Sequence, residues 1–227
     1  MQEMTDFDVD TTLTSFFRNN QSVKPNIPKR CFDIGFSLSI LILLSPLYLI
    51  LAIMIKTTCK GPVFYASKRI GVAGKVISCW KFRSMRPDAE QKLNDLLSSN
   101  PDLHKEWKEH FKLRHDPRIT KLGAFLRKTS LDELPQFWNV LQGDLSTVGP
   151  RPLSKEEVFH VVKYGRGKIY TVKPGITGLW QISGRSLIPF EARLQIEEEY
   201  VEKQSLILDL QLIVKTLPLL IFPKGAF

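Results

Sequence analysis

The sequence predicts a mixed α/β, mostly helical fold: a monotopic membrane protein with an N-terminal re-entrant helix-break-helix, then a small cytosolic core carrying interfacial amphipathic helices. Three observations predict it. Ile34 to Ile55 carries no charge, Ser45-Pro46 lies at its centre, and cations flank both ends, Lys24, Lys29 and Arg30 before it and Lys56, Lys60, Lys68 and Arg69 after it. Roughly 22 residues at ~1.5 Å rise each would cross a hydrocarbon core as a straight helix. Cationic flanks at both ends, however, ask for the cytoplasm twice. Pro46 removes its own N–H bond and clashes with the carbonyl of Ile42, leaving a kink that the Ser45 hydroxyl can help satisfy. A helix that breaks and turns back meets all three conditions. A signal peptide does not, because a long stretch precedes the apolar run and Thr57-Thr58-Cys59 offers no small-residue cleavage site.

The chain has 227 residues, with 32 Lys plus Arg against 23 Asp plus Glu, a formal charge of +9. The first stretch opposes that trend, holding Glu3, Asp6, Asp8 and Asp10 against Arg18 alone. The basic excess therefore belongs to the body, and residues 1–28 read as a polar acidic tail without apolar periodicity, expected to be disordered or loosely held. Its Asp8-Val9-Asp10 matches a D-x-D metal signature, but no strand end is there to present it. A basic body suits an anionic membrane, a phosphorylated substrate or nucleic acid. The cations are scattered among apolar runs with no nucleic-acid motif, so no nucleic-acid partner is expected. Cys31, Cys59 and Cys79 lie far apart, which excludes a disulfide framework and the usual zinc spacings.

The membrane hairpin is taken as 29–60 and the cytosolic domain as 61–227. The latter opens with Val63-Phe64-Tyr65 and Val76 to Phe82 around Gly71-Val72-Ala73-Gly74, a β-hairpin pattern. Gly74-Lys75 is not a phosphate loop, since Val76 stands where a hydroxyl is required. Asp88–Asn100 and Pro101–Leu113 read as amphipathic helices with stripes Leu93, Leu96, Leu97 and Leu103, Trp107, Phe111. His104, His110 and His115 lack the spacing that places two ligands on one helical face, and His160 stands alone.

Chemistry concentrates in Asp116 to Thr120, Leu126 to Gln136 and Gly149-Pro150-Arg151-Pro152. Leu134, Phe137, Trp138 and Leu141 follow a helical stripe, Gly143 is placed to end it, and Pro135 belongs in a first turn, so a helix is expected to open near Asp132. Ser130-x-x-Glu133 is then also a capping box, a purely structural reading. The functional reading rests on the surrounding cations. A helix N-terminus offers N–H donors to phosphate oxygens, Arg127 and Arg151 add forked hydrogen bonds, and a carboxylate among them stays ionised and nucleophilic. The glycine-rich stretch Lys173 to Arg185 permits close approach of a ligand, with Arg185 either a phosphate or sugar contact or a solvated turn residue. Leu206 to Phe222, interrupted by Pro218, reads as a helix on the core or in the bilayer interface and not as a span.

Lys29-Arg30-x-Phe32-Asp33, Ser45-Pro46, Trp80-Lys81-Phe82-Arg83-Ser84-Met85, Ser130 to Gln136, Gly143-Asp144, Val148 to Pro152 and Pro174 to Gly178 occur together and in order. In this the chain resembles the bacterial sugar transferases, the monotopic phosphoglycosyl transferases that start exopolysaccharide and O-antigen assembly. Its size and its ending resemble most the short members that begin exopolysaccharide synthesis with galactose 1-phosphate. The resemblance implies transfer of a hexose 1-phosphate from a UDP-sugar to undecaprenyl phosphate with release of UMP, galactose ahead of glucose or an N-acetylated sugar. It implies Mg²⁺, an Asp-Glu dyad and a re-entrant break at Ser45 and Pro46. Asp132 would be the nucleophile and a metal ligand, Glu133 would assist catalysis as metal or lipid-phosphate partner, and Lys81, Arg127, Arg151 and Arg185 would bind phosphate. Membrane lipids are implied as partners, with room for a homodimer, at the cytoplasmic face of the bacterial inner membrane. A non-catalytic membrane scaffold is the alternative of a different class.

Overall fold

The computed structural model describes residues 15–18, 26–110, 113, 115–184 and 188–221. It opens with helices α1 (Ile27–Leu43) and α2 (Ser45–Thr58). Asn26 caps α1 by accepting the Lys29 N–H at 3.0 Å, and Pro28 falls in the first turn, where its missing donor costs nothing. The two helices bend by 61°. Ser45 Oγ donates to Ile42 O at 2.8 Å, satisfying the carbonyl that Pro46 deprives of a partner, as the sequence predicts. Among the described residues no single helix is long and apolar enough to cross a membrane, whereas this bent pair together has the character of a broken span or a re-entrant loop.

α1 is packed inside out. Its buried side chains, Lys29, Asp33 and Ser37, recur once per turn, while Ile34, Leu38, Ile42 and Leu43 are exposed. Buried charges need partners. Lys29 Nζ reaches Asp209 Oδ2 at 2.5 Å, and Asp33 accepts the Thr147 N–H at 2.9 Å and the Ser146 hydroxyl at 2.8 Å. α2 instead buries Leu51 and Ile55 against Phe82 and Leu126, leaving Leu49, Ile50, Ile53 and Met54 exposed.

Strands β1 (Phe64–Ile70) and β2 (Val76–Phe82) form the expected antiparallel hairpin, with Tyr65 opposite Lys81 and Arg69 opposite Ile77. Next come α3 (Ala89–Ser99) and α4 (Pro101–His110), close to their expected bounds. Arg118, held by Asp116, lies 5.4 Å from the Trp107 ring and ties α4 to the core. α5 (Lys121–Lys128) precedes a short 3₁₀ turn, Leu131–Glu133, and α6 (Gln136–Gln142), which ends at Gly143 with φ 90° as expected.

One expectation for this segment fails. The α-helix opens at Gln136, not Asp132, because the chain enters through Ser130 in the left-handed region at φ 57° and makes the tighter turn first. Of the stripe Leu134, Phe137, Trp138, Leu141, the first packs on the cluster of Leu51, Ile55, Phe82 and Leu126, but the most buried side chains of α6 lie elsewhere. Trp138 is exposed, and α6 buries Gln136, Asn139 and Val140. Asn139 is buried because its amide pairs with the β2 backbone, accepting the Trp80 N–H and donating to Ser78 O.

The remainder comprises β3 (Ser146–Val148), α7 (Lys155–Lys163), β4 (Gly175–Thr177), α8 (Leu179–Ser183), α9 (Phe190–Lys203) and α10 (Leu206–Ile221). β3 and β4 pair in parallel. α7 carries a true capping box, Ser154 with Glu157, and packs Val158 and Val161 with Leu153, Ile169, Tyr170 and Leu194. α10 buries Asp209 beside Leu212 and exposes Ile207, Leu210, Val214 and Leu217. Within the stretch read as a tail, residues 15–18 are helical, and Phe17 sets its ring edge-on to Tyr170 at 5.0 Å, so two adjacent phenylalanines hold that short piece. Asp8 and Asp10 lie outside the described residues.

Candidate active site

The β1–β2 register sets the first wall of the site. Directly paired residues of an antiparallel hairpin share a face, so Tyr65, Ser67 and Arg69 join Lys81, Cys79 and Ile77 on one side. Arg69 and Lys81 thereby overlook a single cleft. Cys79 forms its floor, fully buried, and burial pushes its thiol up to about 11, which leaves it an inert packing group.

The second wall is the turn Leu131–Glu133. Ser130 tolerates its left-handed backbone because the flanking Leu131 and Leu134 pack on the buried cluster that Leu51 and Ile55 of α2 form with Phe82 and Leu126, and the Tyr48 hydroxyl donates to Leu134 O at 2.6 Å. The apolar hairpin therefore holds the dyad directly. The capping box at Ser130 does not form: its side chain makes no cap bond, and Glu133 Oε1 accepts from Lys81 Nζ at 2.6 Å. The purely structural reading of Glu133 falls with it.

The third wall is built where β3 and β4 end. Gly149 N–H donates to Thr177 O at 2.9 Å and Gly175 N–H to Pro150 O at 2.8 Å, drawing the two loops into contact. A side chain on Gly175 would collide with the Gly149 backbone, so this crossing requires glycine. It delivers Arg151 to the cleft, with its N–H donated to Glu197 Oε2 at 2.9 Å and its guanidinium 5.4 Å from the Trp180 ring.

The result is an open cleft whose charged and amide lining is Arg69, Lys81, Arg151, Glu133, Gln136 and Gln181. Among the lining residues three cations face one carboxylate, with Glu157 pairing Arg69 from behind at 3.4 Å, a local excess that suits phosphate oxygens. Asp132 stands beside it, 6% exposed, with Arg127 as its cationic neighbour. Arg127 donates through Nε to Ser84 Oγ at 2.9 Å, and burial lowers its pKa. Adjacent in sequence, the two dyad carboxylates titrate in opposite directions. Burial dominates at Asp132 and pushes it up to about 6, against the pull of Lys81 and Arg127. Burial also acts on Glu133, but Lys81 and Arg151 outweigh it and hold that group at about 2. The expectation that a carboxylate among these cations stays ionised fits both groups at neutral pH, with Glu133 much the more acidic of the two.

The structure gathers Lys81, Glu133 and Arg151 around the cleft, with Asp132 and Arg127 at its side. Arg185 lies outside the described residues. Arg69, Gln136 and Gln181 escaped the sequence reading. Arg69 was legible in principle, because hairpin pairing puts it on the face of Lys81. The glutamines gave no signal, since an amide in a helix reads as solvated surface. Among the described residues no three His, Cys, Asp or Glu side chains gather to hold a metal. Two adjacent carboxylates beside an anion cleft suit a hard cation that takes its other oxygens from substrate phosphates.

The family model for bacterial sugar transferases matches residues 24–223. The chain belongs to the bacterial sugar transferases. It is 38% identical over 221 residues to the exopolysaccharide production protein ExoY of Sinorhizobium fredii, covering 96% of this chain and 97% of that protein. It is 43% identical over 201 residues to the undecaprenyl-phosphate galactose phosphotransferase of Salmonella typhimurium, covering 88% of this chain and 41% of that one. Over 195 residues it is 44% identical to the UDP-glucose:undecaprenyl-phosphate glucose-1-phosphate transferase of Klebsiella pneumoniae, covering 83% and 39%. This sugar transferase is accordingly an enzyme of the transferase class.

Proposed function

We propose that this sugar transferase moves a hexose 1-phosphate, galactose 1-phosphate by preference, from a UDP-sugar to undecaprenyl phosphate, releasing UMP and beginning exopolysaccharide or O-antigen assembly. The observation that carries the reading is the cleft lined by Arg69, Lys81 and Arg151 with Glu133 as the one carboxylate of its lining, directly beside the buried Asp132. The relatives' names support the lipid carrier and the sugar phosphate. They name galactose in one case and glucose in another, so glucose is the second candidate.

Asp132 is the nucleophile. Its oxygen attacks the sugar-proximal phosphorus, the bond from that phosphorus to the bridging oxygen breaks, and UMP leaves with the electron pair. An oxygen of the lipid phosphate then attacks the same phosphorus and expels the aspartate. Two displacements keep two mutually repelling anions out of one site at one time. A carboxylate lifted to about 6 is still ionised at neutral pH and is more basic than an ordinary aspartate. Glu133, held at about 2, fixes Lys81, while Arg69 and Arg151 neutralise charge on the departing phosphate. Mg²⁺, held by Asp132 and substrate phosphates, would supply further charge neutralisation.

Membrane insertion belongs to the same reading. Ile34, Leu38, Ile42, Leu49 and Ile53 of the hairpin and Ile207, Leu210, Val214 and Leu217 of α10 are exposed while Lys29, Asp33 and Asp209 are buried. That inversion favours an apolar surrounding, with α1–α2 entering the cytoplasmic leaflet and α10 lying at its interface. The acceptor's phosphate would then emerge beside the cleft. The test incubates the full chain in nanodiscs with undecaprenyl phosphate and a panel of UDP-sugars. UMP release with UDP-galactose above the other sugars is expected, and a folded protein that releases UMP from no UDP-sugar overturns the reading.

A further inference from the structure

Behind the cleft lies a buried charged cluster for which the proposed chemistry has no direct use. Arg193 and Glu197 of α9 are 6% and 3% exposed, and Glu157 of α7 meets them. Each carboxylate divides its two oxygens in the same way. Oε1 of Glu157 and Oε1 of Glu197 face Arg193, at 3.6 and 3.5 Å. Oε2 of Glu197 accepts the Arg151 N–H at 2.9 Å, and Oε2 of Glu157 accepts the Ser154 N–H at 2.8 Å and lies 3.4 Å from Arg69 Nη1. One buried cation thus stands between two carboxylates whose outer oxygens hold the two cleft arginines.

The contacts of Arg193 are unusual for a buried guanidinium. Its Nε and Nη2 have no hydrogen-bond partner, and its ion pairs are long. The group sits against two aromatic rings instead, 4.3 Å from the Trp180 ring centre and 5.4 Å from that of Phe190. Trp180 is shared, with the Arg151 guanidinium at 5.4 Å from the same ring. Held by rings, Arg193 balances the carboxylates without using up the oxygens that face the site.

We infer that Arg193 is a positioning residue that keeps Arg69 and Arg151 directed into the cleft by holding Glu157 and Glu197 on its own two sides. The inference rests on the reading of the cleft as a diphosphate site. Without Arg193, two carboxylates face each other with no cation between them, and the nearest remaining cations are the two cleft arginines. Arg69, whose contact with Glu157 is loose at 3.4 Å, and Arg151 would be drawn inward and lost to the substrate. Neutralising one carboxylate removes that pull.

The experiment measures UDP binding by calorimetry to the full chain in nanodiscs without lipid acceptor, alongside steady-state turnover with UDP-galactose. Arg193→Met is expected to weaken UDP binding at least tenfold and to raise KM more than it lowers kcat. Arg193→Met combined with Glu197→Gln is expected to regain most of that loss, because the amide still accepts the Arg151 N–H. A folded Arg193→Met variant that binds UDP within twofold of wild type overturns the inference. So does a folded double variant as weak as the single one, which would assign the loss to packing against Trp180. If Arg193→Met does not fold, Arg193→Lys replaces it, with a loss of threefold to tenfold expected and binding within twofold overturning the idea. Wild-type protein that fails to bind UDP overturns the diphosphate reading itself and this inference with it, whereas wild type that binds beside a folded variant that binds equally well overturns this inference alone.

Discussion

Helices α1 and α7 obey opposite rules within one chain. α7 buries Val158 and Val161 and turns Lys155, Glu156 and Lys163 outward, as a helix surrounded by water does. α1 buries Lys29, Asp33 and Ser37 and turns Ile34, Leu38 and Ile42 outward. Both helices are amphipathic, so periodicity alone does not tell them apart; what differs is which face meets the rest of the protein. The polar face of α1 is spent on Asp209, Ser146 and Thr147, the last two in the strand that leads to Arg151. The segment proposed to enter the bilayer is thereby tied to the loop that delivers a cleft arginine.

The harshest way to break this comparison is to remove one partner of the Lys29–Asp209 pair. Asp209→Ala strands a buried lysine and should cost about 3–5 kcal/mol, against about 2 kcal/mol for Val161→Ala in α7, both read from denaturant unfolding in micelles. Similar small losses for the two would mean that the inverted face of α1 holds nothing. Milder is a change on the opposite side of the hairpin. Ile42, Leu49 and Ile53 changed together to serine touch no buried contact, so stability in micelles should stay within about 1 kcal/mol, while sedimentation with anionic vesicles should fall at least tenfold. Phe159→Ser on α7 should leave vesicle binding unchanged, and equal losses from both would remove the distinction.

Smallest in stability, but informative about the site, is Asp132→Asn. A carboxyl raised to about 6 on folding favours the folded state most at low pH, and that contribution is lost as pH rises through 6. At pH 8 the wild-type carboxylate opposes folding, so Asp132→Asn should raise Tm there by a few degrees and change little at pH 4. Turnover of the wild type should fall as pH drops through about 6. A Tm lowered by Asp132→Asn at pH 8 would show that the carboxylate is better stabilised than its burial implies.

Much of this was legible in the sequence. The break at Ser45-Pro46, the β1–β2 hairpin and the end of α6 at Gly143 follow from local rules about proline, glycine and spacing, whereas Lys81 is joined to the dyad only by the resemblance to the sugar transferases. What escaped depended on contacts between distant segments. No local rule says that Asn139 pairs with a strand, so the apolar stripe of α6 does not by itself tell which face is buried. Nor does one say that Ser130 adopts a left-handed turn, which undoes the capping box and moves the helix start. Arg69 required the hairpin register, and Gln181 required the crossing of Gly149 with Gly175.

The central claim is covalent transfer by Asp132, and the most direct measurement is UMP release from UDP-galactose by the purified chain without lipid acceptor. The account predicts a burst no larger than the amount of enzyme, abolished by Asp132→Asn in folded protein, and continuous release once undecaprenyl phosphate is added. UMP that appears only in the presence of the lipid, with Asp132→Asn still turning over, would contradict it.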